Sequence, residues 1–326
     1  MLSHPSYMNP KIFEELRMKP FNIAGISFEL ECWKPKKNLA EAIKHIRTAA
    51  EMGADVIATP EGTLDGYISR ELKGLKLSLA DKGSTGYAKR LVAFKKRQLS
   101  LADKVAKCIP VVQEEASRLG VWLFFNSLDR RRGKSVYNTT FVIDPTGAIV
   151  GKYDKIHADF EVVNTLGKSH KVFQTPFADF GVLICADRQF PEAARSVALA
   201  GAQVLIINSY GMWGEGANER FIRQRAYENG MYVLFSHPKE SVVIGPRGRI
   251  IAGTSSWENV VIRRIDPSKS VGRGLFAKPE MAKTYNVRPD HPGYAKAYRL
   301  KMARHAGKPP TGRRGGVSVI DLRQDF

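Results

Sequence analysis

The sequence has little cysteine and no long apolar run: three cysteines, Cys32, Cys108 and Cys185, stand among 326 residues. Cysteines so few and so scattered exclude a disulfide framework or a thiolate zinc site. No apolar stretch approaches the roughly 18–20 residues that span a bilayer, and residues 1–20 lack the apolar centre and cleavage site of a secretory signal. We therefore expect a protein of the reducing cytoplasm, without a membrane partner, in which a single thiol is available for chemistry.

Acidic residues are also scarce, 32 against 51 lysines and arginines, so the net charge is +19 at pH 7. The excess is uneven: residues 266–326 hold 13 basic residues against 5 acidic ones, and shorter basic runs occupy residues 89–97 and 130–134. Basic patches attract nucleic acid or acidic partners, but no helix-turn-helix, zinc-finger, RRM or KH pattern accompanies these. We expect a solvated basic surface and no nucleic-acid partner.

Strand and helix patterns alternate along most of the chain. FNIAGISFEL (21–30) is typical of a strand, residues 38–52 place apolar side chains at helical spacing behind the N-cap residue Asn38, and ADVIATPE returns to strand. The same patterns predict further elements downstream: a helix at 100–119, a strand at 121–127, a hairpin from 136–144 and 148–155, and helices at 190–200 and 217–230.

No internal repeat or linker interrupts this alternation. We expect one α/β domain at 21–265, an N-terminal extension at 1–20 and a basic C-terminal arm at 266–326. No histidine pair has H-E-x-x-H spacing, and Gly-Lys-Ser at 167–169 lacks the glycine that a P-loop needs at the position of Val162. These absences predict neither a metal site nor a phosphate-binding nucleotide loop.

Three predicted strands end on reactive side chains. Glu61 follows ADVIATP, Lys155 follows AIVGKYD, and Cys185 follows GVLI. In α/β folds, active sites gather where strands end, because the loops there converge over the sheet. A carboxylate, an ammonium group and a thiol suit acyl transfer: a base for the thiol proton, a nucleophile, and a cation for the developing oxyanion. From these residues alone, Cys185 is either that nucleophile or a buried structural cysteine.

The flanking segments resemble those of the nitrilase superfamily of carbon-nitrogen hydrolases. PEGTLDGY is similar to the family's segment around its catalytic glutamate, and GKYDKIH to its G-x-Y-x-K-x-H segment. CADRQFPEAAR with GAQVLIINS resembles the nucleophile segment, and WGEGANERFIRQRAYENGMYVLFS resembles the later helix with R-A-x-E-N. The four segments come in the family's order over roughly residues 20–265. The resemblance implies a four-layer α-β-β-α sandwich, a homodimer or larger homo-oligomer, and no cofactor.

The resemblance also assigns roles to individual residues. Glu61 would be the general base, Cys185 the nucleophile, and Lys155 with the backbone N–H of Ala186 the oxyanion hole. Glu161 matches a second glutamate that relatives carry between Lys and Cys; the alternative is an exposed loop carboxylate. His157, two residues after Lys155, is expected to support the lysine loop rather than to act as a Cys–His partner.

The residues after Cys185 narrow the substrate class. Nitrilases usually continue Cys-Trp-Glu, whereas this chain reads Cys-Ala-Asp, which favours linear amides or N-carbamoyl compounds over nitriles. Arg188 is similar to an arginine that holds the substrate carboxylate in D-amino-acid N-carbamoylases, and a guanidinium suits that task. The alternative role of Arg188 is a structural salt bridge to Asp187 or Glu192. Tyr67, in the Glu61 segment, lines the pocket or packs.

The predicted function is therefore hydrolysis of a small linear amide or N-carbamoyl substrate, with or without a carboxylate, through a thioester on Cys185. A nitrilase is the alternative within the family. An inactive basic scaffold or nucleic-acid-binding protein is the alternative of a different class.

Overall fold

Two six-stranded sheets face each other in the computed structural model, which describes residues 19–158, 161–211, 216–254 and 259–270. Helices cover the outer face of each sheet, which makes the four-layer α-β-β-α sandwich that the sequence predicts. No helix among the described residues is long and apolar enough to cross a membrane.

The first sheet has the strand order β12-β1-β2-β3-β4-β5. Its β1, β2 and β3 run parallel, and the last strand returns antiparallel to the first, with Phe21 opposite Ile265. The strands are β1 Phe21–Ser27, β2 Val56–Ala58, β3 Trp122–Arg130, β4 Val136–Ile143, β5 Ile149–Asp154 and β12 Asn259–Ile265.

The second sheet repeats this plan in the order β11-β10-β9-β8-β7-β6, with β7, β8 and β9 parallel. Every residue of VLIIN in β8 is buried, as expected for a strand covered on both faces. The strands are β6 Val172–Gln174, β7 Asp179–Ile184, β8 Val204–Asn208, β9 Tyr232–Ser236, β10 Val242–Ile244 and β11 Ile250–Gly253.

In the described part of the chain, four helices form the outer layers: α1 Pro35–Glu51, α2 Tyr87–Leu119, α3 Pro191–Leu199 and α4 Ala217–Asn229. Apolar side chains of α1 and α2 pack on the first sheet in one buried cluster. A second cluster fills the space between the sheets and continues to α3 and α4. Since apolar area is buried on both faces of each sheet, the strand ends are held rigidly where the reactive residues follow.

Two predicted helix starts are wrong. The helix predicted at 100–119 begins at Tyr87, because the basic run 89–97 places Phe94 and Leu101 on the buried side of the same helix. The first helix begins at Pro35 rather than after Asn38. Asn38 instead binds backbone outside its helix: its Oδ1 accepts from the Glu31 N–H (3.0 Å), and its Nδ2 donates to the Leu64 carbonyl (3.0 Å).

The other predicted elements are observed close to their expected positions. Strands β4 and β5 form the predicted hairpin, and α3 and α4 lie within one residue of the predicted bounds. Most of the predicted N-terminal extension 1–20 and of the predicted arm 266–326 lies outside the described residues.

Candidate active site

The reactive residues of the three motifs meet between the two sheets. Glu61 follows β2 and Lys155 follows β5 in the first sheet, while Cys185 follows β7 in the second. All three side chains are buried, with Glu61 at 0% and Lys155 at 1% exposure. Because the two sheets face each other, residues that are up to 124 positions apart in the chain come together.

Glu61 is held by donors from three directions. Its Oε1 accepts from Lys155 Nζ (2.7 Å) and from Asn138 Nδ2 (2.9 Å), and its Oε2 accepts from the Tyr210 backbone N–H (3.0 Å). Burial and the negative charge of Cys185 raise the pKa of this carboxyl well above its usual value, more than Lys155 lowers it. The raised pKa makes Glu61 a stronger proton acceptor than an ordinary carboxylate.

Lys155 lies between two carboxylates. Its Nζ donates to Glu61 Oε1 and, through a shorter hydrogen bond, to Glu161 Oε1. Burial lowers the pKa of the ammonium group, but the charges of Glu161, Glu61 and Cys185 outweigh burial and raise it. Lys155 consequently stays protonated and supplies a fixed positive charge inside the protein.

Glu161 belongs to this buried cluster, so the alternative of an exposed loop carboxylate is wrong. Its exposure is 1%, its Oε1 accepts from Tyr67 Oη (3.1 Å) and its Oε2 from Asn164 Nδ2 (2.6 Å). Gln98 of α2 donates in turn to Asn164 Oδ1 (2.6 Å). The basic run 89–97 of α2 therefore ends directly before Gln98, which contacts one of the residues that hold Glu161.

Cys185 begins a short 3₁₀ turn, Cys185–Gln189, with φ of 46°. This left-handed backbone is uncommon for a residue with a side chain, and strain of this kind clusters at functional sites. Burial alone would raise the pKa of the thiol. The charges of Lys155 and Arg188 and a hydrogen bond with the Ser209 side chain outweigh it and lower that pKa to about 6.

Asp187 ties the turn Cys185–Gln189 to strand β5, which precedes Lys155. Its Oδ1 accepts from the backbone N–H and from Nδ1 of His157 (both 2.8 Å), and its Oδ2 accepts from Tyr153 Oη (2.7 Å) and the Ile184 N–H (3.0 Å). Burial would raise the pKa of this carboxyl, but the contacts with His157 and His170 lower it to about 2. His157 thus supports the lysine loop, as predicted.

Comparison with known proteins shows the family of this chain. A family model described as "Carbon-nitrogen hydrolase" matches residues 22–271. The chain belongs to the carbon-nitrogen hydrolase family. Omega-amidase NIT2 of Xenopus tropicalis is 28% identical over 273 residues, which cover 76% of this hydrolase and 90% of that protein. "Nitrilase homolog 2" of Dictyostelium discoideum is 30% identical over 273 residues, 76% of each chain.

Solved structures of amidases have the fold of this hydrolase. An amidase from Nesterenkonia sp. aligns with a TM-score of 0.63 at 18% identity, over 81% of the hydrolase and 96% of that chain. A glutamate mutant of the Nesterenkonia sp. AN1 amidase shows covalent addition of the acetamide moiety of fluoroacetamide at the active-site cysteine, with a TM-score of 0.64, 18% identity and coverage of 81% and 96%. The hydrolase is thus an enzyme of a family whose members include amidases.

Arg188 lies beside the thiol of the hydrolase and is fully buried. Its Nη1 donates to Cys185 Sγ (3.3 Å) and its Nη2 to the Gly211 carbonyl (2.8 Å). The alternative of an ion pair with Asp187 or Glu192 is not found among the described residues. Whether a substrate carboxylate binds Arg188 stays a prediction.

Tyr67 packs inside the site rather than on the surface. Its ring stacks on that of Tyr210 with centroids 4.9 Å apart, and Lys155 Nζ lies 5.5 Å from the ring. The exposed Arg70 donates to Tyr210 Oη, so a surface cation is connected to the buried cluster through two aromatic rings. Ala186 is buried directly after Cys185 in the same turn.

Sequence reasoning missed Asn138, Asn164, Tyr210 and Ser209. The two asparagines bind the carboxylates, and the other two residues follow β8 and contact Glu61 and Cys185. Position at a strand end is a signal for Ser209 and Tyr210, since β8 is parallel to β7. Among the described residues, no group of three or more His, Cys, Asp and Glu side chains is arranged to hold a metal ion.

Proposed function

We propose that this enzyme is a cysteine amidase that hydrolyses small linear amides through a thioester on Cys185. The observation that carries the proposal is a buried thiol of lowered pKa in one cluster with a protonated lysine and a glutamate of raised pKa. A nucleophile, a fixed cation and a proton acceptor are the parts that acyl transfer needs.

Glu61 takes the thiol proton, and the Cys185 sulfur attacks the amide carbon. The electron pair of the C=O bond moves to the oxygen, which Lys155 and the Ala186 N–H stabilise. The intermediate then collapses: the C–N bond breaks, Glu61 returns its proton to the nitrogen, and ammonia or an amine leaves a thioester. Water, deprotonated by Glu61, attacks the thioester, and the acid departs with the thiol restored. Glu161 keeps Lys155 charged and in place throughout.

A primary amide that carries a carboxylate is the substrate class we favour. The curated relatives named above include an omega-amidase, and the segment after Cys185 reads Ala-Asp rather than the Trp-Glu of nitrilases. Arg188 next to the nucleophile and Arg70 at the surface offer cations for a carboxylate. N-carbamoyl compounds are the second candidate, since Arg188 follows Cys185 as in the resembling segment of N-carbamoylases.

Ammonia release from a panel of amides, N-carbamoyl amino acids and nitriles tests the proposal. The panel pairs each carboxylate-bearing compound with its neutral analogue, and wild type is compared with Cys185→Ala and Cys185→Ser. We expect release from amides by wild type alone, and more from the carboxylate-bearing member of each pair. Preference for nitriles would replace the amidase proposal by a nitrilase, and equal release by wild type and Cys185→Ala would contradict it.

A further inference from the structure

A strongly basic groove lies at the edge of the sandwich where the outer strands β11 and β12 of the two sheets meet. Its volume is about 900 Å³. The turn between β10 and β11 forms one wall, and the end of β12 with the following turn forms the other. We define the basic groove by its charged lining residues: Arg247, Arg249, Arg263, Arg264, Asp266 and Lys269.

The positive charge of the basic groove is not balanced within the described part of the chain. Asp266 is the acidic residue of its lining, and it pairs with Lys269 at 3.6 Å. The four arginines are exposed, and none of them forms an ion pair or a side-chain hydrogen bond with a described residue. Four like charges facing one groove repel each other, so an anion that fills the groove would relieve that repulsion.

Protection of sheet edges does not fully account for this arrangement. Cations on an outer strand discourage pairing with another chain, and this explains single charges on β11 or β12. The turn that carries Arg247 and Arg249 is in addition held in place, because Arg223 Nε of α4 donates to the Gly248 carbonyl (2.8 Å). Arginines at the edges of two different sheets thus line one concavity, and one of its walls is fixed by a contact with α4.

The distribution of these charges favours a chain of anionic groups over one small anion. The cations are exposed and stand on three segments, the turn 245–249, β12 and the turn 267–269, so they do not surround a single point. The chain continues from Ser270 into residues 271–326, which contain 12 lysines and arginines against 4 acidic residues. That segment and a second copy of this chain, with net charge +19, both have the wrong sign to occupy the groove.

We propose that the basic groove binds the phosphodiester backbone of nucleic acid without regard to sequence, separately from the amide chemistry. Arginine forks match phosphate oxygens, and such binding needs no recognition motif. The inference departs from the sequence-based expectation of no nucleic-acid partner. That expectation came from the absence of known motifs, and the groove joins arginines of two strands that no motif connects.

Fluorescence anisotropy with a labelled single-stranded oligonucleotide of about 20 nucleotides tests the proposal. The full chain is compared with a groove variant, R247Q/R249Q/R263Q/R264Q, and with a control, K82Q/K89Q/K95Q/K96Q. The control removes the same charge from exposed lysines elsewhere. Titrations at several salt concentrations give the slope of log affinity against log salt. Thermal melting checks that both variants are folded. In a parallel experiment, the binding of the same three proteins to vesicles containing phosphatidylserine is measured.

We expect the groove variant to lose at least about tenfold more oligonucleotide affinity than the control. Its salt slope should be shallower by about 3, since each phosphate contact to a single strand contributes about 0.7. Equal losses in the two variants would overturn the proposal in favour of a diffuse charge effect. Unchanged affinity in the groove variant, or a loss confined to the vesicles, would also overturn it. Amidase activity does not enter these readouts, so failure of the proposed function leaves the test intact.

Discussion

Burial and neighbouring charges shift the pKa of the Cys185 thiol in opposite directions. Burial favours the neutral thiol, while Lys155, Arg188 and Ser209 favour the thiolate and bring the pKa from 9.0 to about 6. Of the two cations, Arg188 contacts the sulfur through Nη1 (3.3 Å), and the Ser209 side chain also hydrogen-bonds it. We therefore expect Arg188 to lower the pKa of the Cys185 thiol whether or not it also binds a substrate carboxylate.

Replacement of Arg188 by glutamine should raise the pKa of Cys185 by about 1 or more, because one of the two neighbouring cations is lost. In wild type, the rate of Cys185 alkylation by iodoacetamide should rise with pH through about 6. In Arg188→Gln, the midpoint should move upward. The measurement is the pH profile of alkylation, with the modified cysteine identified by peptide mass.

Arg70→Gln is the matched control for this profile. Arg70 Nε donates to Cys32 Sγ (2.9 Å), so this variant removes an arginine from a different thiol. It should leave the profile of Cys185 unchanged. A wild-type midpoint near 9, or an Arg188→Gln profile identical to wild type, would contradict the role assigned to Arg188.

Resemblance of short segments was sufficient to predict that Glu61, Lys155, Glu161 and Cys185 would meet. Each of these four residues lies in or near a segment whose flanking residues are similar to those of the family. The groups that hold them, such as Asn138 on β4 and the Tyr210 backbone N–H after β8, could not be predicted in the same way. Their role depends on which strands face each other across the two sheets, and no local pattern specifies that.

At the scale of elements, the turn Cys185–Gln189 is fastened to the first sheet by Asp187. The carboxylate accepts from His157, which follows Lys155, and from Tyr153 of β5. The nucleophile and the lysine therefore keep their relative position through one buried acid. Loss of its charge should affect both stability and catalysis.

Asp187→Asn should destabilise the fold by about 2 kcal/mol at pH 7, because the folded protein lowers the pKa of Asp187 from its ordinary value of 3.8 to about 2. A lowered carboxyl pKa stabilises the fold above pH of about 4, and this contribution is lost as pH falls toward about 2. The difference between wild type and variant should thus shrink between pH 7 and pH 3. Denaturant unfolding at the two pH values measures it.

Asp103→Asn provides the comparison, since the Asp103 side chain is 53% exposed in its ion pair with Arg130. Exposed pairs contribute little to stability, so this variant should unfold close to wild type at both pH values. A destabilisation of Asp187→Asn that is the same at pH 3 and pH 7 would show that the charge of Asp187 is not what fastens the turn.

Helix α2 shows where element prediction fails. The apolar spacing at 100–119 identified its second half, but residues 87–99 carry six lysines, arginines and glutamines, and residues 89–97 were interpreted only as a basic run. Long basic side chains are good helix formers whose charged ends remain in water. In the folded protein, the burial of Phe94 and Gln98 holds residues 87–99 against the sheet as part of the helix. Composition alone does not predict that these two side chains are buried.

At the scale of the whole molecule, the chain carries a net charge of +19, and the residues of the candidate active site are buried between two sheets. A positive field raises the encounter rate of anionic substrates and leaves neutral ones unaffected. Salt screens that field, with a Debye length of about 10 Å at 0.1 M ionic strength.

The ratio kcat/KM for a carboxylate-bearing amide should therefore fall severalfold as salt rises from about 0.05 to 0.5 M. For the neutral analogue of the same length it should change little. Initial rates at low substrate concentration over a salt series measure both. Equal salt dependence of the two substrates would show that the basic surface does not serve the amidase reaction.

The account depends most on the thioester at Cys185, and intact-protein mass spectrometry after rapid acid quench with an amide substrate tests it most directly. Wild type and Cys32→Ala should both gain the mass of the acyl group, located on Cys185, and both should release ammonia. Cys185→Ala should show neither adduct nor ammonia release. Turnover by Cys185→Ala, or turnover by wild type with an acyl group only on another residue, would contradict the mechanism.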